Sequence, residues 1–258
     1  MTVTLNDVAR RAGVSKSTVS NVVRGAAPVA PSTRRRVEGA ISELGYRPNE
    51  VARALKQRST QTLGLVITDT VNPFAASLAQ AVVRRARRDG YAVLIADTDG
   101  DPHIEAAQVR ALVARRVDGV IFAALTEGST NLGDLLDREV PTVLASFGGG
   151  LDRRAGAIDI DEDEAMDNVV QYLADLGHER IAFARQHARE ADVDRRPNAF
   201  SKAMRKRDLQ EVSLGDAPTA ICCMNDGVAI DLMDSLERSG RRVPEDVSVV
   251  GFDDVPLA

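Results

Sequence analysis

From Thr62 onward one pattern repeats, and it admits few architectures. Short apolar runs are separated by longer amphipathic stretches. The runs are GLVIT (64–68), YAVLIA (91–96), GVIFAAL (119–125), TVLASF (142–147), RIAFA (180–184), TAICCM (219–224) and VSVVGF (247–252). Between most of them, apolar residues recur at helical spacing over Phe74–Arg88, His103–Arg116, Glu162–Leu176 and Gly227–Ser239. Runs that do not alternate with polar residues suit strands buried on both faces. Strands that alternate with helices predict a doubly wound parallel α/β sheet covered on both sides.

Such sheets bind ligands outside the carboxyl ends of their strands. Asp69, Thr70, Asn72 and Phe74 follow the first run, and Asp97, Thr98 and Asp99 the second. Asn225 and Asp226 follow TAICCM, and Asp253 and Asp254 follow VSVVGF. Carboxylates that accept from hydroxyls, with an aromatic ring to cover a sugar face, suit a polyhydroxylated ligand. The competing reading is that these Asp and Asn side chains cap the helices that follow. For Asp69 and Asp97 the two readings are level.

The first 60 residues follow a different period. Leu5, Val8, Ala9 and Ala12 fall on one helical face, with Thr4 and Asp7 spaced as a capping box and Gly13 as the stop. Ser15 caps a second helix with Val19, Val22 and Val23 inside. Ser17, Ser20, Asn21 and Arg24 form its outer face, and Lys16 lies beside them. A short helix, a glycine turn and a helix with a polar outer face make a helix-turn-helix. The second helix of that motif lies in the DNA major groove. A third helix carries Val37, Ala40, Ile41 and Leu44, and its first turn carries Arg34, Arg35 and Arg36. Basic side chains are unfavourable there, and phosphate contact or plain solvation would account for them. Residues 1–60 hold 11 Lys/Arg against 4 Asp/Glu, net +7; the remainder holds 22 against 34, net −12. A basic head on an acidic body is the footprint of a nucleic-acid binder.

Other classes lack support in the sequence. No apolar run is long enough to span a bilayer, and the polar N-terminus does not read as a signal peptide, so a cytoplasmic protein is expected. Cys222 and Cys223 are adjacent in an apolar run, as buried thiols rather than a disulfide framework or metal site. His103, His178 and His187 have no metal spacing. There is no phosphate-binding lysine loop, no dinucleotide fingerprint and no nucleophile elbow; Gly148-Gly149-Gly150 reads as a turn. No catalytic residue, metal or cofactor is assigned.

VTLNDVARRAGVSKSTVSNVVRG, TRRRVEGAISELGYRPNEVARAL and the NPF run at Asn72–Phe74 together resemble the LacI/GalR repressors. The resemblance runs from Thr2 to about Phe183 and resumes near Thr219. It implies a helix-turn-helix head (1–48), a hinge helix and linker (49–61), and a periplasmic-binding-protein-like body with two lobes (62–258). It implies DNA contacts from Thr4, Ser15, Lys16, Ser17, Thr18, Ser20, Asn21, Asn49, Ala52, Leu55 and Lys56. Lys16, Ser17 and Asn21 would read bases, and Leu55, between Arg53 and Lys56, would wedge the minor groove. It assigns effector contact to Asn72, Phe74, Arg196, Asn225, Phe252 and Asp253. The implied partners are a palindromic operator, a sugar-like effector and a second copy of the chain.

The chain departs from the family pattern in several places. Asn21 stands where Arg is frequent; Asn suits adenine where Arg suits guanine. Ala30 stands where a capping Ser is usual, so either Ser32 caps the third helix or it starts poorly capped. RDLQEVSLGDA (207–217) is too short for the usual strand–helix unit, and the sequence stops at Ala258 where the family continues. An incomplete second lobe is therefore expected, with Ile221, Val249 and Phe252 exposed and sugar binding weak. Two other classes stay open: a constitutive DNA binder or degenerate fragment with a damaged body, and a cytosolic sugar-binding protein with a disused head.

Overall fold

The computed structural model describes residues 3–25, 28–47, 59–123, 130–145, 153–185 and 195–256. They fall in two compact units, 1–60 and 61–258. No helix among them is long and apolar enough to cross a membrane.

The described residues of the first unit form three helices: α1 (Leu5–Ala12), α2 (Lys16–Arg24) and α3 (Pro31–Leu44). Thr4 and Asp7 make the expected reciprocal cap at the start of α1. The Asp7 carboxylate accepts from the Thr4 hydroxyl at 2.7 Å and the Thr4 amide at 3.0 Å. Those bonds hold its carboxyl below the usual carboxylate range. Gly13 ends α1 in the left-handed region (φ 63°), which glycine alone adopts without steric cost. Val8, Ala9, Ala12, Val19, Val22, Val37, Ala40 and Tyr46 close the core. Helix α3 starts at Pro31 with Ala30 as an N-cap that makes no side-chain bond; Ser32 does not take over the role.

Arg36 corrects one reading of the basic first turn. Its guanidinium donates to the Ala12 carbonyl through Nε (3.2 Å) and Nη2 (2.8 Å), and to the Gly13 carbonyl through Nη2 (3.0 Å). It thus satisfies two carbonyls at the end of α1, which otherwise lack helical partners. Phosphate contact and solvation are not needed to explain it.

The second unit holds two all-parallel sheets. Strands β1 (Thr62–Ile67), β2 (Ala92–Asp97), β3 (Gly119–Phe122), β4 (Thr142–Ala145) and β5 (Gly156–Ile158) form one, in the order β2-β1-β3-β4-β5. Helices α4 (Pro73–Arg88), α5 (Pro102–Ala114) and α6 (Asn131–Asp137) belong to this lobe. Strands β6 (Arg180–Ala184), β7 (Gln210–Glu211), β8 (Ala220–Cys223) and β9 (Ser248–Val250) form the other, in the order β7-β6-β8-β9. Its helices are α7 (Glu162–Asp175), α8 (Arg196–Lys206) and α9 (Asp226–Arg238). All seven apolar runs carry strands. Two edge strands escaped the sequence: β5 is wholly exposed and β7 is the polar pair Gln-Glu.

One face of the second sheet packs on α7 and α8 through Met166, Val170, Leu173, Phe200 and Met204. The other packs on α9 through Val228, Ala229 and Leu236. This corrects the expected exposure. Ile221 is 1% exposed, and Val249 and Phe252 are half-buried, because α9 covers one and the Arg196 guanidinium the other. The short crossing from β7 to β8 has no helix. It is tied down instead: the Thr219 amide donates to the Arg180 carbonyl, the Arg180 guanidinium to the Asp216 carbonyl, and Arg241 to the Pro218 carbonyl.

Cys222 and Cys223 are buried in β8, and burial pushes both thiols up to about 12. Thiolate is the reactive form. A disulfide reagent at pH 8 should therefore leave both untouched in the folded protein and titrate both in denaturant. Fast reaction in the native state would contradict this burial.

Candidate DNA-reading helix and effector edges

The N-terminus of α2 is ordered by hydroxyls. Ser15 Oγ accepts from the Thr18 amide at 3.1 Å and lies 2.8 Å from both Ser17 Oγ and Thr18 Oγ1. Lys16 and Ser17 are exposed, and Ser20 and Asn21 half-buried. Thr4 caps α1. The first turn of α2 holds no acidic residue, so its amide dipoles and Lys16 present an electropositive end to an anion. Asn49, Ala52, Leu55 and Lys56 lie outside the described residues.

At the carboxyl edge of the first sheet, Asn72 caps α4, its Oδ1 accepting from the Phe74 amide at 2.9 Å; Phe74 is half-buried. Asp69 accepts from the Val71 amide at 2.7 Å. Asp97 Oδ2 accepts from the Thr70 amide (3.0 Å) and hydroxyl (2.7 Å), and its Oδ1 from the Asp99 amide (3.0 Å). Burial pushes the Asp97 carboxyl up, but the Thr70 hydroxyl and the amides of Asp99, Thr70 and Thr98 together bring it below its usual range. The helix caps here are Asn72 and Asp101. Asp69 and Asp97 cap neither helix and instead shape the loops between them.

The edge of the second sheet gathers Arg196, Asn225, Phe252 and Asp253. Arg196 opens α8. Its Nε donates to Glu162 Oε1 at 3.1 Å and its Nη1 to the Met224 carbonyl at 2.6 Å, with Asp253 Oδ1 4.0 Å away. Its guanidinium lies 4.2 Å from the centre of the Phe252 ring, in cation–π range. Asn225 caps α9, its Oδ1 accepting from the Val228 amide at 2.9 Å. That bond leaves the amide nitrogen of Asn225 and one lone pair of its Oδ1 for a ligand.

Asp253 has φ 108°, a conformation that costs a non-glycine residue about 1–3 kcal/mol. Strain of this kind persists where the surroundings fix the backbone, and Asp226 does so here. Buried beside Gly251, its amide donates to the Phe252 carbonyl at 2.8 Å and its Oδ2 accepts from the Val255 amide at 2.9 Å. Glu162 is the participant that sequence reasoning missed. Asp226 was legible as a strand-end acid, but not that it turns inward. Among the described residues, no group of three His, Cys, Asp or Glu could hold a metal ion.

A helix-turn-helix unit and a two-sheet body with ligand-type edges define a class, DNA-binding regulators with a periplasmic-binding-type domain. The model of bacterial regulatory proteins of the lacI family matches residues 4–49. That of periplasmic binding proteins and sugar binding domain of LacI family matches 60–216, and a periplasmic binding protein-like domain matches 203–258. The HTH-type transcriptional repressor PurR of Vibrio vulnificus is 33% identical over 281 positions, spanning 99% of this chain and 83% of the relative. The repressor of the same name from Vibrio parahaemolyticus is 34% identical with the same coverage. Among solved structures, the lac repressor dimer bound to operator and the anti-inducer ONPF has a TM-score of 0.84 at 27% identity, covering 99% of this chain and 84% of that one. A complex of the transcriptional regulator CelR with cellobiose has a TM-score of 0.67 at 27% identity and the same coverage. The chain belongs to the LacI family. It is a DNA-binding transcription repressor governed by a small-molecule effector, and its relatives are repressors rather than enzymes.

Proposed function

We propose that the protein is a cytoplasmic repressor that binds a palindromic operator as a homodimer and is released or recruited by a sugar or related metabolite. The domain limits we assign are 1–48 for the head, 49–61 for the hinge and 62–258 for the body. One head reads only a few base pairs, so two-fold symmetry supplies the rest of the site. The lac repressor relative is a dimer on operator, and the CelR relative holds cellobiose. What carries the reading in this chain is the start of α2: Lys16 and Ser17 stand exposed on a hydroxyl-capped, acid-free first turn.

Lys16, Ser17 and Asn21 are the proposed base readers, with Thr4, Ser15, Thr18, Ser20, Asn49, Ala52, Leu55 and Lys56 as further DNA contacts. Asn72 and Phe74 on one edge, and Arg196, Asn225, Phe252 and Asp253 on the other, are the proposed effector contacts. A ligand that binds both edges favours one arrangement of the lobes, and only its differential affinity for the two arrangements can change operator affinity.

A binding-site selection tests the head. Asn21→Ala should change the preference at one base pair per half-site, by about 1–3 kcal/mol. Wild-type affinity should fall linearly with salt on a log–log scale through counterion release. Identical preferences for the two proteins would remove Asn21 from the reading set.

A further inference from the structure

We propose that Glu162 sets the charge selectivity of the second sheet's edge: by engaging Arg196 it makes the site one for uncharged, hydroxyl-bearing ligands and closes it to phosphate esters and carboxylates. The inference rests on the reading of Arg196, Phe252 and Asp253 as effector contacts. A recessed arginine at a binding edge is by default an anion site, because its planar fork matches phosphate and carboxylate oxygens. Here the fork is already engaged. Glu162 takes Nε, the Met224 carbonyl takes Nη1, Asp253 stands 4.0 Å away, and Phe252 covers one face. The side chains are 16% (Arg196), 15% (Glu162) and 8% (Asp253) exposed, so solvent screens these charges little.

The charges around the arginine favour the same conclusion. Arg195 lies 3.7 Å from Glu162 but is drawn to Asp159 at 2.8 Å, on the segment entering α7. Among the described residues, Arg195 and Arg196 face three carboxylates, Asp159, Glu162 and Asp253. An incoming anion meets Asp253 and Glu162 as well as Arg196. A hydroxyl meets carboxylates that accept from it and a guanidinium that donates to it. Glu162 lies in the first turn of α7, where the helix dipole favours a negative charge. A purely structural ion pair would have the same distances. It differs in consequence: its loss weakens the fold without creating an anion site.

The experiment uses the full chain at constant ionic strength, with inorganic phosphate as the probe anion and glucose and glucose 6-phosphate as a matched pair, read by calorimetry and thermal shift. Wild type should show no saturable phosphate binding. Glu162→Gln should acquire it, saturating at least tenfold below the highest phosphate concentration at which wild type shows none, and Glu162→Gln/Arg196→Ala should lose it again. Asp253→Asn removes the other carboxylate and should give the same gain if Glu162→Gln folds poorly. Wild-type phosphate binding through Arg196, or no gain in either variant, overturns the proposal. In the sugar arm, any preference should favour glucose over its phosphate, and the reverse preference also overturns it. If phosphate binding appears as expected while no sugar binds, the charge role of Glu162 stands and the sugar reading of the effector fails.

Discussion

Gly251→Ala should lower the melting temperature by roughly 5–15 °C and abolish whatever stabilisation an effector confers. A methyl group at residue 251 would overlap Asp226 Oδ1 and come within 3.2 Å of its Cγ and 3.3 Å of its Cα. The site needs the missing Cβ. Asp226 cannot simply rotate away, because its Oδ2 holds the Val255 amide and its own amide holds the Phe252 carbonyl. Overpacking costs about 1–3 kcal/mol, and each buried polar group left unmatched adds about 1–3 kcal/mol. A total near 2–4 kcal/mol, at roughly 2–4 °C per kcal/mol for a chain of this size, gives the predicted shift. The loop from Gly251 to Val255 carries Phe252 and the strained Asp253, so its release disperses the ring and the carboxylate set around Arg196. A double-mutant cycle with Asp226→Ala identifies the cause. If the clash is responsible, Gly251→Ala costs far less in the Asp226→Ala background. An additive cycle would place the cost elsewhere.

The architecture was legible because burial leaves a long-range signature. Seven short apolar runs, most of them separated by helix-length amphipathic stretches, have few outcomes other than parallel strands, and the capping box at Thr4 and Asp7 marked a helix start to the residue. The short elements were not legible. Strand β7 is a strand only because Gln210 and Glu211 lie beside Arg180 and Ile181, a fact of tertiary pairing with no trace in its composition. The same limit applied to the candidate site. Arg196, Phe252 and Asp253 could be named because the family pattern marks them. Glu162 could not, because it reads as one more acid in a favourable first turn, and its second role follows from α8 packing against α7. Arg36 failed in the other direction. A run of three arginines reads as phosphate contact or plain solvation, and Arg36 instead bonds across to the end of α1.

Arg36→Ala should therefore destabilise the head and weaken DNA binding without changing its salt dependence. The guanidinium joins α3 to the turn between α1 and α2 through three hydrogen bonds to two carbonyls. Charged-donor bonds contribute about 1.5–3 kcal/mol, and a unit of about 60 residues has only a few kcal/mol to lose. Amide exchange in α1 and α3 should accelerate by tenfold or more. Specific and non-specific DNA affinity should fall together, because fewer heads are folded. A phosphate contact would act differently. Its loss leaves amide exchange unchanged and lowers the slope of log affinity against log salt by about one for each head bound. Arg36→Lys separates the two further, since it keeps the charge for a phosphate but cannot reproduce the fork that spans the Ala12 and Gly13 carbonyls. Unchanged exchange with a reduced slope in Arg36→Ala would return Arg36 to the DNA backbone and make its bonds to the turn incidental.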